Sequence, residues 1–236
     1  MRSLPGMLCA ALLAVLLNQD AAASVVGPEW IETDDAGKLP GGAQSTIGVG
    51  PLGAIRGSLT STLLGGDFED MYVIMIDSPA SFSAVVAPVA DGITDFDVAL
   101  WLLGPVSFAG EPAFGLLGND DAPGAPMGES AIFPLADDGS GAAVQEAGLY
   151  YIAVTRSGNV PLSVSGAIFD FMAPTEISGP DGSGGGDIIS DWSGDPLGTP
   201  GNYRILLNGV SFADVPAPGV LAVLALGAVG LRRRRR

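Results

Sequence analysis

Asp70-Met71-Tyr72-Val73-Ile74-Met75-Ile76 decides the fold. Read with a period of two, Tyr72, Ile74 and Ile76 make one face, and Met71, Val73 and Met75 make the other. Both sets are apolar. A strand here is buried on both sides and belongs inside a sheet rather than at its edge. Asp77-Ser78-Pro79 then supplies turn chemistry, a side-chain acceptor followed by a fixed φ, and ends the run.

Working outward, short runs at 43–47 and 54–59 precede this strand, after an irregular N-terminal segment, 24–42, rich in turn residues. Further strands are predicted over 81–88, 98–103, 113–118, 131–135, 148–155, 162–169 and 203–210. They recur every ten to fifteen residues or so with Gly, Pro and Asp between them, the spacing of a sandwich. The expected fold is all-β, a single jelly-roll-like β-sandwich. No stretch of the body carries a helical period of useful length. The Gly/Ser-rich segment 172–200 reads as loop, with 178–186 expected to be mobile. No repeat recurs at a fixed period.

The two ends have a different texture. Arg2 precedes an apolar segment, 7–17, and Ala21-Ala22-Ala23 offers the small residues of a signal-peptidase site, so residues 1–23 read as a signal peptide cleaved after Ala23. The single Cys9 lies within it. The mature chain then has no thiol and no disulfide. At the other end, residues 214–236 form one unit. Val-Pro-Ala-Pro-Gly at 215–219 leads into an apolar run ending at Leu231, followed by Arg232, Arg233, Arg234, Arg235 and Arg236. The 17 residues from Val215 to Leu231 sit at the lower limit for crossing a hydrocarbon core about 30 Å thick. The arginines mark the end retained in the cytoplasm.

Between these ends lie 190 residues, 24–213, enough for one domain that buries about 70% of its unfolded surface. That body carries 24 acidic residues against Lys38, Arg56, Arg156 and Arg204, a net charge of −20. Such a balance leaves no basic patch and argues against nucleic acid or anionic lipid as a partner.

The tail motif Pro216, Ala217, Pro218 and Gly219, with its apolar run and arginine cluster, resembles the PEP-CTERM sorting signals of Gram-negative bacteria, with Ala217 where the usual motif has Glu. The resemblance implies export through the Sec pathway and handling by signal peptidase and an exosortase. It also implies transient anchoring of the C-terminal helix in the inner membrane, then delivery to the cell envelope, surface or extracellular matrix. An ordinary C-terminal anchor is the plainer alternative. A second resemblance runs over residues 28 to about 170. Trp30-x-Glu32 with Asp35-Ala36-Gly37, Asp67-x-x-Asp70-Met71-Tyr72, residues 77–84, Phe96-Asp97-Val98-x-Leu100-Trp101-Leu102, Asn119-Asp120-Asp121 and Gly148-Leu149-Tyr150-Tyr151-Ile152-Ala153-Val154 are together similar to the pre-peptidase C-terminal (PPC) module. It implies a non-catalytic β-sandwich that accompanies secreted enzymes or stands alone on surfaces, and some relatives bind calcium.

The acidic turns have their own chemistry. Calcium takes six to eight oxygens from carboxylates, amides and carbonyls on adjoining loops. Asp67 and Asp70 precede the central strand, Asp95 and Asp97 flank Phe96, and Asn119, Asp120 and Asp121 follow another strand. These seven are the candidate calcium ligands; the competing explanation is a solvated acidic surface with turn aspartates serving the backbone. No other cofactor is called for. A faint glycine-rich calcium-repeat pattern at 182–187 is a single imperfect copy and builds nothing.

Catalysis narrows by elimination. The chain has no histidine, which removes Ser-His-Asp hydrolysis and His-ligated zinc. It has no phosphate-binding or dinucleotide fingerprint. Paired carboxylates could cleave a glycosidic bond without His or Cys, but the body holds only Trp30, Trp101 and Trp192, too few to line a glycan cleft. The expectation is therefore no enzyme. It is a structural or interaction protein of the surface or matrix, associated with exopolysaccharide in the sense the sorting resemblance implies. A calcium-dependent carbohydrate-binding module is the alternative, and a carboxylate-dependent glycosidase a distant third.

Overall fold

The alternation at 70–76 predicts a strand buried on both faces, and the structure supplies a different cover for each. The structure is a computed structural model that describes residues 27–59, 61–62, 65–87, 97–122, 129–194 and 201–214. Its strands in chain order are β1 (Glu29–Ile31), β2 (Gln44–Ser45), β3 (Ala54–Leu59), β4 (Ser61–Thr62), β5 (Gly65–Gly66), β6 (Glu69–Ile76), β7 (Ser83–Val86) and β8 (Val98–Val106). They continue with β9 (Gly115–Asn119), β10 (Ala131–Ile132), β11 (Gly148–Arg156), β12 (Pro161–Ser163), β13 (Gly166–Ala167), β14 (Asp191–Trp192), β15 (Gly201–Asn208) and β16 (Val210–Phe212). Among the described residues helix is confined to two short 3-10 turns, Pro40–Gly42 and Pro79–Ser81.

Two large sheets hold the chain. One has the order β1-β3-β15-β7-β10; the other runs β16-β6-β11-β8-β9, with β2 also pairing to β6. The central strand pairs antiparallel with β11 over eight residues, from Gly148 opposite Ile76 to Thr155 opposite Glu69. The sheets face each other across a core in which Tyr72, Ile74, Leu100, Leu102, Tyr150 and Ile152 from one meet Ile55, Leu59, Ala84, Tyr203 and Ile205 from the other. The expectation of an all-β, sandwich-like body holds.

The second face of β6, β8 and β11 is covered by a third layer. Met71, Val73, Trp101, Tyr151 and Ala153 pack under Ile168, Phe169, Ile189 and Trp192. Trp101 is the hub, with ring centroids 5.3 Å from Phe169, 5.6 Å from Phe171 and 6.3 Å from Trp192. This corrects one expectation. Residues 162–169 are not one strand: β12 ends at Ser163, Val164 and Ser165 turn, and β13 pairs back antiparallel on β12. The Gly/Ser segment is built into the cover: Gly118 and Ser178 exchange both backbone hydrogen bonds at 2.9 Å, and Gly182 N–H donates to Ile168 O at 3.0 Å. Its glycines are there for close approach, since a Cβ on Gly182 or Gly185 would overlap a backbone carbonyl, of Ala167 or Pro180.

The irregular N-terminal segment is also part of the fold. β1 runs parallel to β3, placing Trp30 opposite Ile55, and Met71 N–H donates to Gly37 O at 3.0 Å. Among the described residues no helix is long and apolar enough to cross a membrane. The signal-peptide reading at 1–23 and the sorting residues Pro216, Ala217, Pro218, Gly219 and Arg232 to Arg236 lie outside the described residues.

Candidate functional site

Two carboxylates open β6 and, by strand alternation, point to opposite faces. Glu69 turns to the outer layer, where Asn159 Nδ2 donates to its Oε1 at 2.5 Å. Asp70 turns inward and is fully buried. Its Oδ2 accepts the Tyr203 hydroxyl at 2.6 Å, and the Tyr203 hydroxyl also meets that of Tyr72. No hydrogen-bond donor reaches its buried Oδ1 among the described residues.

Glu32 comes to Asp70 from the N-terminal segment. Just past β1 its Oε2 accepts the Ser58 N–H at 2.9 Å and its Oε1 the Ala36 N–H at 3.2 Å, and its carboxyl contacts that of Asp70. Two carboxylates repel at such range; a carboxylic acid and a carboxylate hydrogen-bond. Burial, with repulsion from Asp67 and Glu32 and against the Tyr203 bond, pushes Asp70 up to about 9. Asp70 therefore holds a proton at neutral pH and gives it to Glu32 as a hydrogen bond. Burial also raises Glu32.

Around Asp70 the acids converge. Carboxylate oxygens of Asp35, Asp67 and Asp70 lie within 4.8 Å of one another. Calcium–oxygen distances of about 2.3–2.6 Å place ligand oxygens no more than about 5 Å apart across the ion. The three aspartates fit that sphere, and backbone carbonyls and water would complete it. Asp35 is set by a local turn in which its Oδ1 accepts the Gly37 N–H at 2.7 Å. Beyond Asp67, the Arg156 guanidinium lies 4.6 Å over the centre of the Phe68 ring. Burial lowers the pKa of Arg156, with Asp67 and Glu69 acting against it.

The seven residues predicted as ligands thus divide. Asp67 and Asp70 meet, joined by Asp35. Asp97, Asp120 and Asp121 gather nearby at the same end of the sandwich, because Arg156 N–H reaches Phe68 O at 3.3 Å and Ser157 N–H reaches Asp97 O at 3.0 Å. There Asp120 accepts the Ser157 hydroxyl at 3.3 Å. Burial, with repulsion from Asp97 and Asp121 and against that bond, pushes Asp120 up to about 6. Asn119 is a brace. Its Nδ2 donates to Asp121 O and Glu176 O, its Oδ1 accepts from Ala131 N–H, and the Ser130 hydroxyl is shared between its backbone O and Oδ1, so its amide ties three segments together. Asp95 lies outside the described residues.

Sequence reading missed Glu32, Asp35 and Tyr203. Glu32 and Asp35 stand in a stretch that reads as turns. The Tyr203–Asp70 bond spans 133 positions of sequence, beyond the reach of any local pattern. Beside Glu32 a cavity of about 270 Å³ opens, lined by Ile31, Arg56, Ser58, Asn202 and Tyr203 as well. Comparison of the chain with protein-family models and with curated proteins finds no match.

Proposed function

We propose that this chain is an exported interaction module of the cell surface or extracellular matrix, non-catalytic, with a jelly-roll-like sandwich whose acidic end binds calcium. The observation that carries the reading is the convergence of Asp35, Asp67 and Asp70 on one point, with Asp70 fully buried. A buried carboxyl group in such company needs either a proton or a cation. Calcium bound there would tie the N-terminal segment to the start of β6, the place where the chain's first and second sheets are joined through Tyr203 and Asp70.

The same geometry counts against hydrolysis. Glycosidase carboxyls stand about 5–5.5 Å or about 6.5–9.5 Å apart, both facing the substrate. Glu32 and Asp70 are in hydrogen-bonding contact, and Asp70 has no exposed surface. The address rests on the sorting and leader motifs of the sequence, with signal peptidase and an exosortase as processing partners.

The test is thermal melting with millimolar calcium against sodium at matched ionic strength, since extracellular calcium sites bind at about 10⁻⁴–10⁻³ M. Calcium a hundredfold above its dissociation constant adds about 2.7 kcal/mol. The melting temperature should rise with calcium beyond the sodium control, and Asp67→Asn should abolish the excess. Equal rises in both salts would sink the calcium site, leaving only the screening that any salt gives so acidic a body.

A further inference from the structure

The cavity beside Glu32 has an architecture of its own. It opens where β1 stops: Ile31 is the last residue paired to β3, opposite Arg56, and Glu32 then crosses over Gly57 and Ser58. Its wall is backbone-fixed, because Asn202, Tyr203 and Arg204 of β15 pair in register with Ser58, Gly57 and Arg56 of β3. Its floor is equally set. Tyr203 is held by Asp70 and Tyr72, and Gly57 leaves the space, since a Cβ there would overlap the Tyr203 hydroxyl and stand 2.6 Å from Glu32 Oε2.

The lining specifies a ligand class. At about 270 Å³ the cavity is smaller than the roughly 300–1,000 Å³ usual for drug-sized ligands. One sugar ring suits it better than a peptide segment. The charges at the cavity balance: Glu29 pairs with Arg204 and, at 3.9 Å, with Arg56, and Glu32 is the second carboxylate against those two guanidinium groups. Glu32 accepts one backbone N–H on each oxygen and the Asp70 proton, which leaves it an acceptor position for a hydroxyl group. Ser58 and Asn202 offer both donors and acceptors. Ile31, 63% exposed at the rim, supplies an apolar contact for the C–H face of a ring. An anionic ligand would meet a body of charge −20, and a cationic one would meet the Arg56 guanidinium in the same lining as Glu32.

We propose that this cavity binds one neutral hexose unit of a polysaccharide through Glu32, Ser58 and Asn202. The inference deepens the reading of the sandwich as an interaction module and rests on it. The experiment measures binding of the exported chain, as recovered from expressing cells, to neutral glucan, mannan and galactan oligosaccharides, with oligogalacturonate and oligolysine as counter-probes. At least one neutral probe should bind, and Asn202→Ala and Ser58→Ala should each weaken it about tenfold, roughly the loss of one hydrogen bond to a charged or well-placed partner, with the melting temperature unchanged. Binding of no neutral probe, binding that both variants leave intact, or binding of a counter-probe alone overturns the proposal. The calcium-specific rise in melting temperature, measured on the same preparation, reports on the module's metal site separately. If that rise stays while sugar binding fails, only the hexose inference falls.

Discussion

At Asp70 the protein places a carboxyl group where ionisation is costly. The side chain is fully buried, and Asp67 and Glu32 add repulsion to the loss of water. In the folded chain without a divalent cation the proton stays until about pH 9, whereas an unfolded aspartate releases it near pH 3.9. Between those values the unfolded state binds fewer protons than the folded one. Stability from this group is therefore complete below about pH 4 and is lost progressively up to about pH 9. Asp120, pushed up to about 6, adds a loss in the same direction over a narrower window. In chelator, the melting temperature should fall between about pH 5 and about pH 9, and Asp70→Asn, which copies the neutral acid, should flatten that slope. A slope identical in the variant would mean that Asp70 is ionised in the folded chain. Only part of this was legible beforehand. Asp67 and Asp70 stand out because they open an apolar strand; Glu32 and Tyr203 become their neighbours only through sheet pairing, which no local pattern encodes.

The element that organises the rest is β6, and here the sequence was most informative. A run with both faces apolar demands a cover on each, and the chain provides a facing sheet on one and the layer of β12, β13 and β14 on the other. The first cover was legible as alternating strands. The second was not, because its backbone is dense in Gly and Ser, which carry no hydrophobic signal; its apolar contacts come from the scattered Ile168, Phe169, Ile189 and Trp192. Small size is what lets that backbone lie against β9 and fold upon itself. Ile74 tests the strand assignment. It is fully buried, opposite Tyr150 on one side and Phe212 on the other. Ile74→Asp puts an unpaired charge among them, at a cost comparable to the whole stability of a domain, about 5–15 kcal/mol. The variant should lose its cooperative melting transition, and a transition at the parental temperature would show that this position does not face the core.

At the scale of the whole molecule the question is where the folded body ends and the address begins. The sequence suggests a boundary between residues 213 and 214, and Asp214 itself is hydrogen-bonded into the body. Asp214 N–H donates to Thr46 O at 3.0 Å, and Gly48 N–H donates to Asp214 O at 2.9 Å, so Asp214 is tied into the sheet beside β2. If the tail is a sorting signal, as proposed, deleting residues 215–236 should leave the melting temperature unaltered while changing where the protein goes. The truncated chain should appear in the periplasm or medium without tail processing, because in the proposed sorting the apolar run and Arg232 to Arg236 are what hold the chain at the inner membrane. The intact chain, recovered from the envelope or matrix, should have a mass that begins at Ser24 and lacks the five arginines. A recovered chain that retains them marks the tail as a simple anchor, and a truncated chain that still reaches the envelope moves the address into the sandwich itself.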